Sequence, residues 1–348
     1  MSSAPTPTTT SPDALGPLPE WNLGDLYSGM DSAAFAADLA RAQADCAAFA
    51  ARWRGKLDGA ARGADAATAL TEAVRAFEAI EDLLGRLMSY AGLVYSGDTT
   101  DPARAKFYGD TQEKLTTMSS ELLFFTLELN RIDDAVIDAA MSRAPLAHYR
   151  PWIEDVRKEK PHQLDDEIER LFHEKSVTGR VAWNRLFDET IASLRFDIEG
   201  EKQPIEPTLN LLQDANETRR KAAADALAAT FRSNLRTFTL ITNTLAKDKD
   251  ISDRWRKFQD IADSRHLSNR IEREVVDALV SAVQSAYPRL SHRYYALKAK
   301  WFGKETLNHW DRNAPLPKVE QRTISWTEAR ATVLDAYASF SPRMADIA

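Results

Sequence analysis

AATALTEAVRAFEAIEDLLGRLMSYAGLVY, residues 66–95, is the stretch that decides the fold. Its apolar residues Leu70, Val74, Phe77, Leu84, Leu87 and Ala91 recur at steps of three, four and seven. That spacing sets them on one face of an α-helix and on neither face of a strand. Alanine recurs through the stretch and proline is missing from it, so local propensity agrees with the pattern.

The same period continues on both sides. Upstream, Phe35, Leu39, Ala42, Cys46, Phe49 and Trp53 step by three and four behind Asp31 and Ser32, two residue types that cap helix N-termini. The Gly55–Gly63 stretch is expected to break the chain before residue 66. Downstream, Ser96–Asp101 reads as a turn, and Asp101-Pro102 starts a third helix running from Ala103 to about Leu129. Long helices joined by short turns read as antiparallel neighbours in an elongated bundle. Shorter helices are expected at Asp133–Met141, at His148–Val156 with an interruption at Pro151, at Leu164–Glu174 and at Val181–Ala192.

Between Leu194 and Ile205 the period changes to two, with Leu194, Phe196 and Ile198 alternating with Arg195, Asp197 and Glu199 ahead of Gly200. This is a β-hairpin, and it marks the place to divide the chain. The domain reading is a tail over residues 1–16, an N-terminal helical domain over 17–192, and the hairpin with a further helical region over 193–348. That last region is expected to hold helices from Asn216 to about Lys247, from Arg270 to Tyr287, from Pro288 to Phe302 and, entered through Thr327, to Phe340, with a strand at Gln321–Trp326. The segment Trp21–Tyr27 reads as an arm pinned to the body by its large apolar side chains. The fold class is mainly α with one small hairpin. No self-similarity of solenoid type is present.

At 348 residues, 44% hydrophobic and 28% charged, the chain is an ordinary globular sequence. Its net charge of −7 argues against a nucleic-acid partner. No apolar run is long enough to span a bilayer, and Met1–Pro12 lacks the basic start and apolar stretch of a signal peptide. A disordered tail and a cytoplasmic location are the expectation. The single cysteine, Cys46, reads as a small buried hydrophobe.

Candidate chemistry is sparse. The six histidines are His148, His162, His173, His266, His292 and His309, and no two lie within one helical turn of each other. An H-E-x-x-H zinc site needs two imidazoles at i and i+4. His173-Glu174 starts such a motif, but Val177 stands at the second histidine position. Asp165, Asp166, Glu167 and Glu169 read as the acidic first turn of a helix. Arg254, Trp255, Arg256, Lys257 and Phe258 read as a structural cluster, with Trp255 buried and the arginines paired to Asp248, Asp250, Asp253 and Asp260. Asn308–Pro317 is a polar, aromatic loop that could line a site; the competing reading is a Trp310 plug with Asp311 paired to Arg312. No phosphate-binding glycine loop and no Gly-x-Ser-x-Gly elbow occurs.

Several segments resemble the oligoendopeptidase F family, in the thimet-oligopeptidase group of zinc peptidases. They are Pro17–Tyr27, Tyr90–Asp98, Tyr149–Ile153 through His162–Leu164, Arg219–Ala222, Tyr294–Lys298 and Trp310–Leu316. The resemblance implies a mostly helical body with a deep channel, in which zinc hydrolysis cuts short peptides. It also implies that the catalytic H-E-x-x-H and the later zinc-binding glutamate lie downstream of the last of these segments. The expectation is a metallopeptidase domain truncated before its zinc motif, inactive alone and binding no zinc, with no catalytic, metal or substrate-binding residue assigned here. His309–Arg312 is carried only as a candidate piece of channel wall. The alternative is a complete, non-enzymatic helical scaffold or interaction protein, which predicts a polar, capped C-terminus. Apolar residues run instead through Tyr337–Ala348. Truncation further predicts that residues up to about Ala192 resist proteolysis better than the helices after Asn216.

Overall fold

The computed structural model describes residues 16–317 and 323–348. Residues 23–314 form one compact unit; the remaining described residues, 16–22, 315–317 and 323–348, fall in a second. The tail expected over residues 1–16 lies outside the described residues except at Gly16.

The leading helices follow the pattern read from residue 66 outward. Helix α1 (Ala33–Trp53) is capped by Ser32, whose Oγ accepts the Phe35 N–H at 3.2 Å. Helix α3 (Ala66–Gly97) buries Leu70, Val74, Leu84, Leu87 and Ala91. The segment between them is not merely a break, because α2 (Leu57–Arg62) forms inside it and seats Leu57 in the core. The Trp21–Tyr27 arm is held through Tyr27, with Leu23 and Leu26 packed against the same core. Tyr27 is buried, donates from its hydroxyl to Asp38 at 2.8 Å and packs edge-on against Phe35 and Tyr90, whereas Trp21 is 91% exposed. Burial and the Asp38 carboxylate push the Tyr27 hydroxyl pKa up to about 12.

The third helix differs from expectation. It is two helices, α4 (Pro102–Ser120) and α5 (Leu123–Arg131). The hydroxyls of Thr117, Ser119 and Ser120 turn back onto the carbonyls of Glu113 and Thr116, and the N–H groups of Glu121 and Leu122 bond three residues back. Such side chains compete with the helical ladder and loosen it. After the break, Phe124 and Phe125 both enter the core. Phe125 is fully buried, its ring 4.7 Å from Phe77, 5.2 Å from Phe49 and 6.4 Å from Trp152. Helix α6 (Asp134–Met141) follows its Asp133 cap. Pro151 does not interrupt a helix; it sits in the first turn of α7 (Arg150–Arg157), where its missing N–H costs nothing.

Helices α8 (Asp166–Lys175) and α9 (Arg180–Ser193) contribute no buried residue. The hairpin is present as β1 (Phe196–Ile198) and β2 (Glu201–Gln203), antiparallel, with Phe196 opposite Gln203. Glu199 and Gly200 turn it with φ of 56° and 93°, the paired left-handed conformation that matches strand twist. Ile205 leaves the hairpin and opens α10 (Ile205–Asn210) behind Pro204. A second, smaller core forms around Leu194, Phe196 and Leu227, separate from the one that spans Tyr27 to Ile153.

The helix expected over 216–247 is also two: α11 (Glu217–Ser233) and α12 (Leu235–Trp255). Asn234, at φ −104° and ψ 8°, ends the first and donates from its side chain to the Thr230 carbonyl. Then come α13 (Asp263–Ser268), α14 (Arg273–Ala286) and α15 (Ser291–Trp301), with Pro288 three residues ahead of α15 rather than inside it. In the other unit, α16 (Trp326–Phe340) is capped by Ser325 rather than Thr327 and leads to α17 (Pro342–Ile347). Of the strand expected at 321–326, residues 321–322 lie outside the described residues, 323–325 are unpaired, and Trp326 is helical.

Helix α14 has no buried residue and leaves Val275, Leu279, Val280 and Val283 exposed. Local stability follows buried apolar contact. Limited proteolysis of the isolated chain is therefore expected to cut first within residues 270–301 and to spare residues 23–156; early cleavage inside α3 would contradict this.

Candidate functional site

Two segments far apart in sequence meet in a buried cluster of charge. One is the basic run Arg219–Lys221 on α11, and the other is the loop after α15. The chain leaves α15 through Gly303 at φ 66°, with the Lys304 N–H bonded to the Ala299 carbonyl at 2.9 Å. That tight exit needs the left-handed region that glycine adopts without strain. It turns Lys304 back toward a short 3-10 turn at His309–Asp311. There Asn308 and Asp311 cap each other reciprocally.

Asp311 is fully buried. Its Oδ1 accepts from Arg220 Nη2 at 2.7 Å, and its Oδ2 accepts from Lys304 Nζ at 2.6 Å and from the Asn308 N–H at 3.1 Å. Arg220, 1% exposed, also donates from Nη1 to the carbonyls of Asp214 and Ala215, both at 2.9 Å. Lys298, 2% exposed, donates to the Arg312 carbonyl at 2.8 Å. Glu217 closes the outer edge, accepting from Lys304 at 2.5 Å and from Trp310 Nε1 at 3.4 Å.

Burial alone would raise the Asp311 carboxyl, but the hydrogen bonds from Arg220 and Lys304 outweigh it and hold the pKa below the ordinary carboxylate range. Lys298 is shifted down, first by burial and then by the nearby Arg220 charge. A carboxylate held low in the fold adds stability above its unfolded pKa, about 4, and loses it as pH falls through the lower folded value. Melting temperature is therefore expected to fall below about pH 4. Arg220→Met with Asp311→Leu should make that fall shallower, and an unchanged acid slope would refute the assignment.

The plug reading is corrected in its pairing. Asp311 is paired, but with Arg220 and Lys304 and not with its neighbour Arg312. Trp310 is half-buried beside Glu217 and under the Lys221 ammonium, 5.4 Å from its ring centre. His309, Trp310, Arg312 and Asn313 line a groove of about 440 Å³ whose other wall is Leu212, Ala224 and Leu227. Both halves, Arg219–Ala222 and Trp310–Leu316, are visible in the sequence, but nothing in it joins them. The usable signal was an acid in a tight turn flanked by aromatic and basic residues, with no opposite charge at helical spacing.

The other singled-out residues have structural partners. His173 Nε2 meets Ser119 Oγ at 2.8 Å and ties α8 to α4. His162 stacks on Phe258 at 3.9 Å, with Nδ1 2.7 Å from the Arg256 carbonyl. The acidic cluster does open α8, as read, but two of its members are not simply solvated: Asp166 pairs with Arg131, and Glu169 holds Arg256 through bonds of 2.8 and 2.7 Å. Arg254 pairs with Asp250 as expected. Trp255 is 50% exposed, not buried, because it edges against Phe172 at the end of α12. Cys46 is buried, and burial pushes its thiol to about 11. Among the described residues, no group of three or more His, Cys, Asp or Glu side chains could hold a metal ion. No helix among them is long and apolar enough to cross a membrane.

Residues 128–196 match the family model described as Oligopeptidase F. The chain is 28% identical over 308 residues to Oligopeptidase PepF of Bacillus subtilis, covering 85% of this chain and 44% of that protein. It is 24% identical to Group B oligopeptidase PepB of Streptococcus agalactiae, over 71% of this chain and 42% of the other. It thus spans less than half the length of these curated relatives. The fold is similar to that of oligoendopeptidase-F from Enterococcus faecium, with a TM-score of 0.70 at 21% identity, over 87% of this chain and 58% of that one. Nothing in these matches supports the non-enzymatic scaffold reading.

Proposed function

We propose, on the premise that this chain is related to the oligoendopeptidase F family of peptidases, that it forms the leading helical part of a cytoplasmic zinc endopeptidase acting on short peptides. The observation that carries the reading is the combined match: a family segment at residues 128–196 inside a fold shared over 87% of the chain. In this reading residues 17–192 are the N-terminal helical domain, and residues 193–348 are the hairpin and the beginning of the peptidase domain. The two separate cores, one ending at Ile153 and one centred on Phe196, support that division.

In this reading, as the family resemblance implies, the zinc ligands lie downstream of these residues. These residues supply shape. A wall of helices admits extended chains and excludes folded ones, and the Asp311 anchor fixes the loop that faces a passing peptide. Holding a reactant in place is itself a large part of peptidase rate enhancement.

The test joins this chain to the downstream portion of a curated relative. The extended protein is expected to cleave a quenched fluorescent peptide but not a folded protein, to lose activity to a chelator and to regain it with zinc. The 348-residue chain alone is expected to be inactive. Cleavage that ignores the chelator, or robust cleavage by the short chain, would overturn the proposal.

A further inference from the structure

The groove beside the Asp311 anchor has a composition that selects one kind of ligand. Its walls are Leu212, Ala224, Leu227 and Trp310, and Arg312 stands among its lining residues. Around it the charges are otherwise settled. Arg219 pairs with Asp214, Lys221 with Asp225, and Lys304 with Glu217 and Asp311. The Arg312 guanidinium has no ion pair and no hydrogen bond to any described residue, and it is exposed. An unpaired guanidinium beside an apolar groove complements a group that is anionic at one end and apolar next to it, because its planar fork of donors matches a carboxylate.

The setting is also rigid. Asp311 is locked from three sides inside the protein, while its neighbours on either side line the groove. Arg312 itself is held at the backbone, its carbonyl accepting from buried Lys298 at 2.8 Å. Groups placed on a fixed support lose little freedom when a ligand arrives. A cavity of about 440 Å³ is at the small end for ligand sites, suited to one or two residues of a peptide rather than to a long segment.

We propose that this groove binds the C-terminal residue of a short peptide, with the terminal carboxylate on Arg312 and an apolar side chain between Leu227 and Trp310. The proposal rests on the peptidase reading and adds a substrate feature to it: a free C-terminus next to an apolar residue. It gives the protein a direct way to favour short peptides, whose C-termini are within reach of the wall.

The test uses the 348-residue chain and pentapeptides labelled at the N-terminus and ending in leucine, with either a free carboxylate or an amide. Binding is read by fluorescence anisotropy. The free acid should bind at least tenfold more tightly than the amide. Arg312→Gln should remove that preference, and Ala224→Trp, which fills the groove, should weaken both peptides. Arg236→Gln, an exposed arginine on α12, should change nothing. Unchanged thermal melts of the Arg312 variant would show that folding is intact. No saturable binding, equal binding of acid and amide, or a preference that survives Arg312→Gln would each overturn the inference. Chelator-sensitive cleavage by the extended protein would stand apart from those outcomes, so the subsite and the activity can fail separately.

Discussion

Asp311→Ala is expected to destabilise the part of the chain around α11 and α15 by about 3–5 kcal/mol, the range for removing one partner of a buried ion pair. The side chain has no exposed surface, and its loss strands Arg220, itself 1% exposed, without its anionic partner. Lys304 keeps only Glu217, at the outer edge. The Arg220 Nε is already buried without a partner, and only the carbonyls of Asp214 and Ala215 remain to the guanidinium as acceptors. The small core around Phe196 and Leu227 has little reserve to absorb such a cost. Urea denaturation followed by near-ultraviolet dichroism measures it. Arg220→Met combined with Asp311→Leu should be markedly less damaging than Asp311→Ala, because it removes the stranded charge along with its partner. A loss under about 1 kcal/mol for Asp311→Ala, the level of a surface pair, would show that the cluster is not an anchor.

Phe125→Ala is expected to cost about 3–5 kcal/mol in the larger core, the range for truncating a buried aromatic. Phe125 is fully buried, with Phe49, Phe77, Phe124 and Trp152 around it at ring distances of 5.2, 4.7, 6.5 and 6.4 Å. Those five side chains come from α1, α3, α5 and α7, so one cavity loosens four helices at once. Phe125→Leu should cost less than half as much, since most of the volume is kept. The Asp311 and Phe125 effects should add, because Phe125 lies in the larger core and none of the groups bonded to Asp311 does. Strong coupling between them would show that residues 23–314 melt through shared contacts that the two cores do not reveal.

The sequence by itself determined where helices and the hairpin form. The stripes through Phe35–Trp53 and Leu70–Ala91 face the core, with all but the half-buried Leu39 and Phe77 fully covered, and the alternation at Leu194–Ile198 gives a strand pair turned at Glu199-Gly200. These signals are local: a period of 3.6 or 2, a capping oxygen, a glycine at a turn. Where the helices break was less legible. At Glu121 and at Asn234 the apolar stripe continues while side-chain oxygens and amides bond to the backbone, and periodicity does not register that competition.

The candidate site was legible only in pieces. Three consecutive basic residues, Arg219, Arg220 and Lys221, look alike in sequence, yet one is buried and the other two pair at the surface. Which one turns inward depends on what packs against α11, and that is the loop 91 residues later that carries Asp311. Burial makes the choice, because a charge can leave water only where an opposite charge and hydrogen bonds already wait for it. Pattern fixed the helices; the desolvation of Asp311 and Arg220, a property of the assembled structure alone, decided how two distant segments became one site.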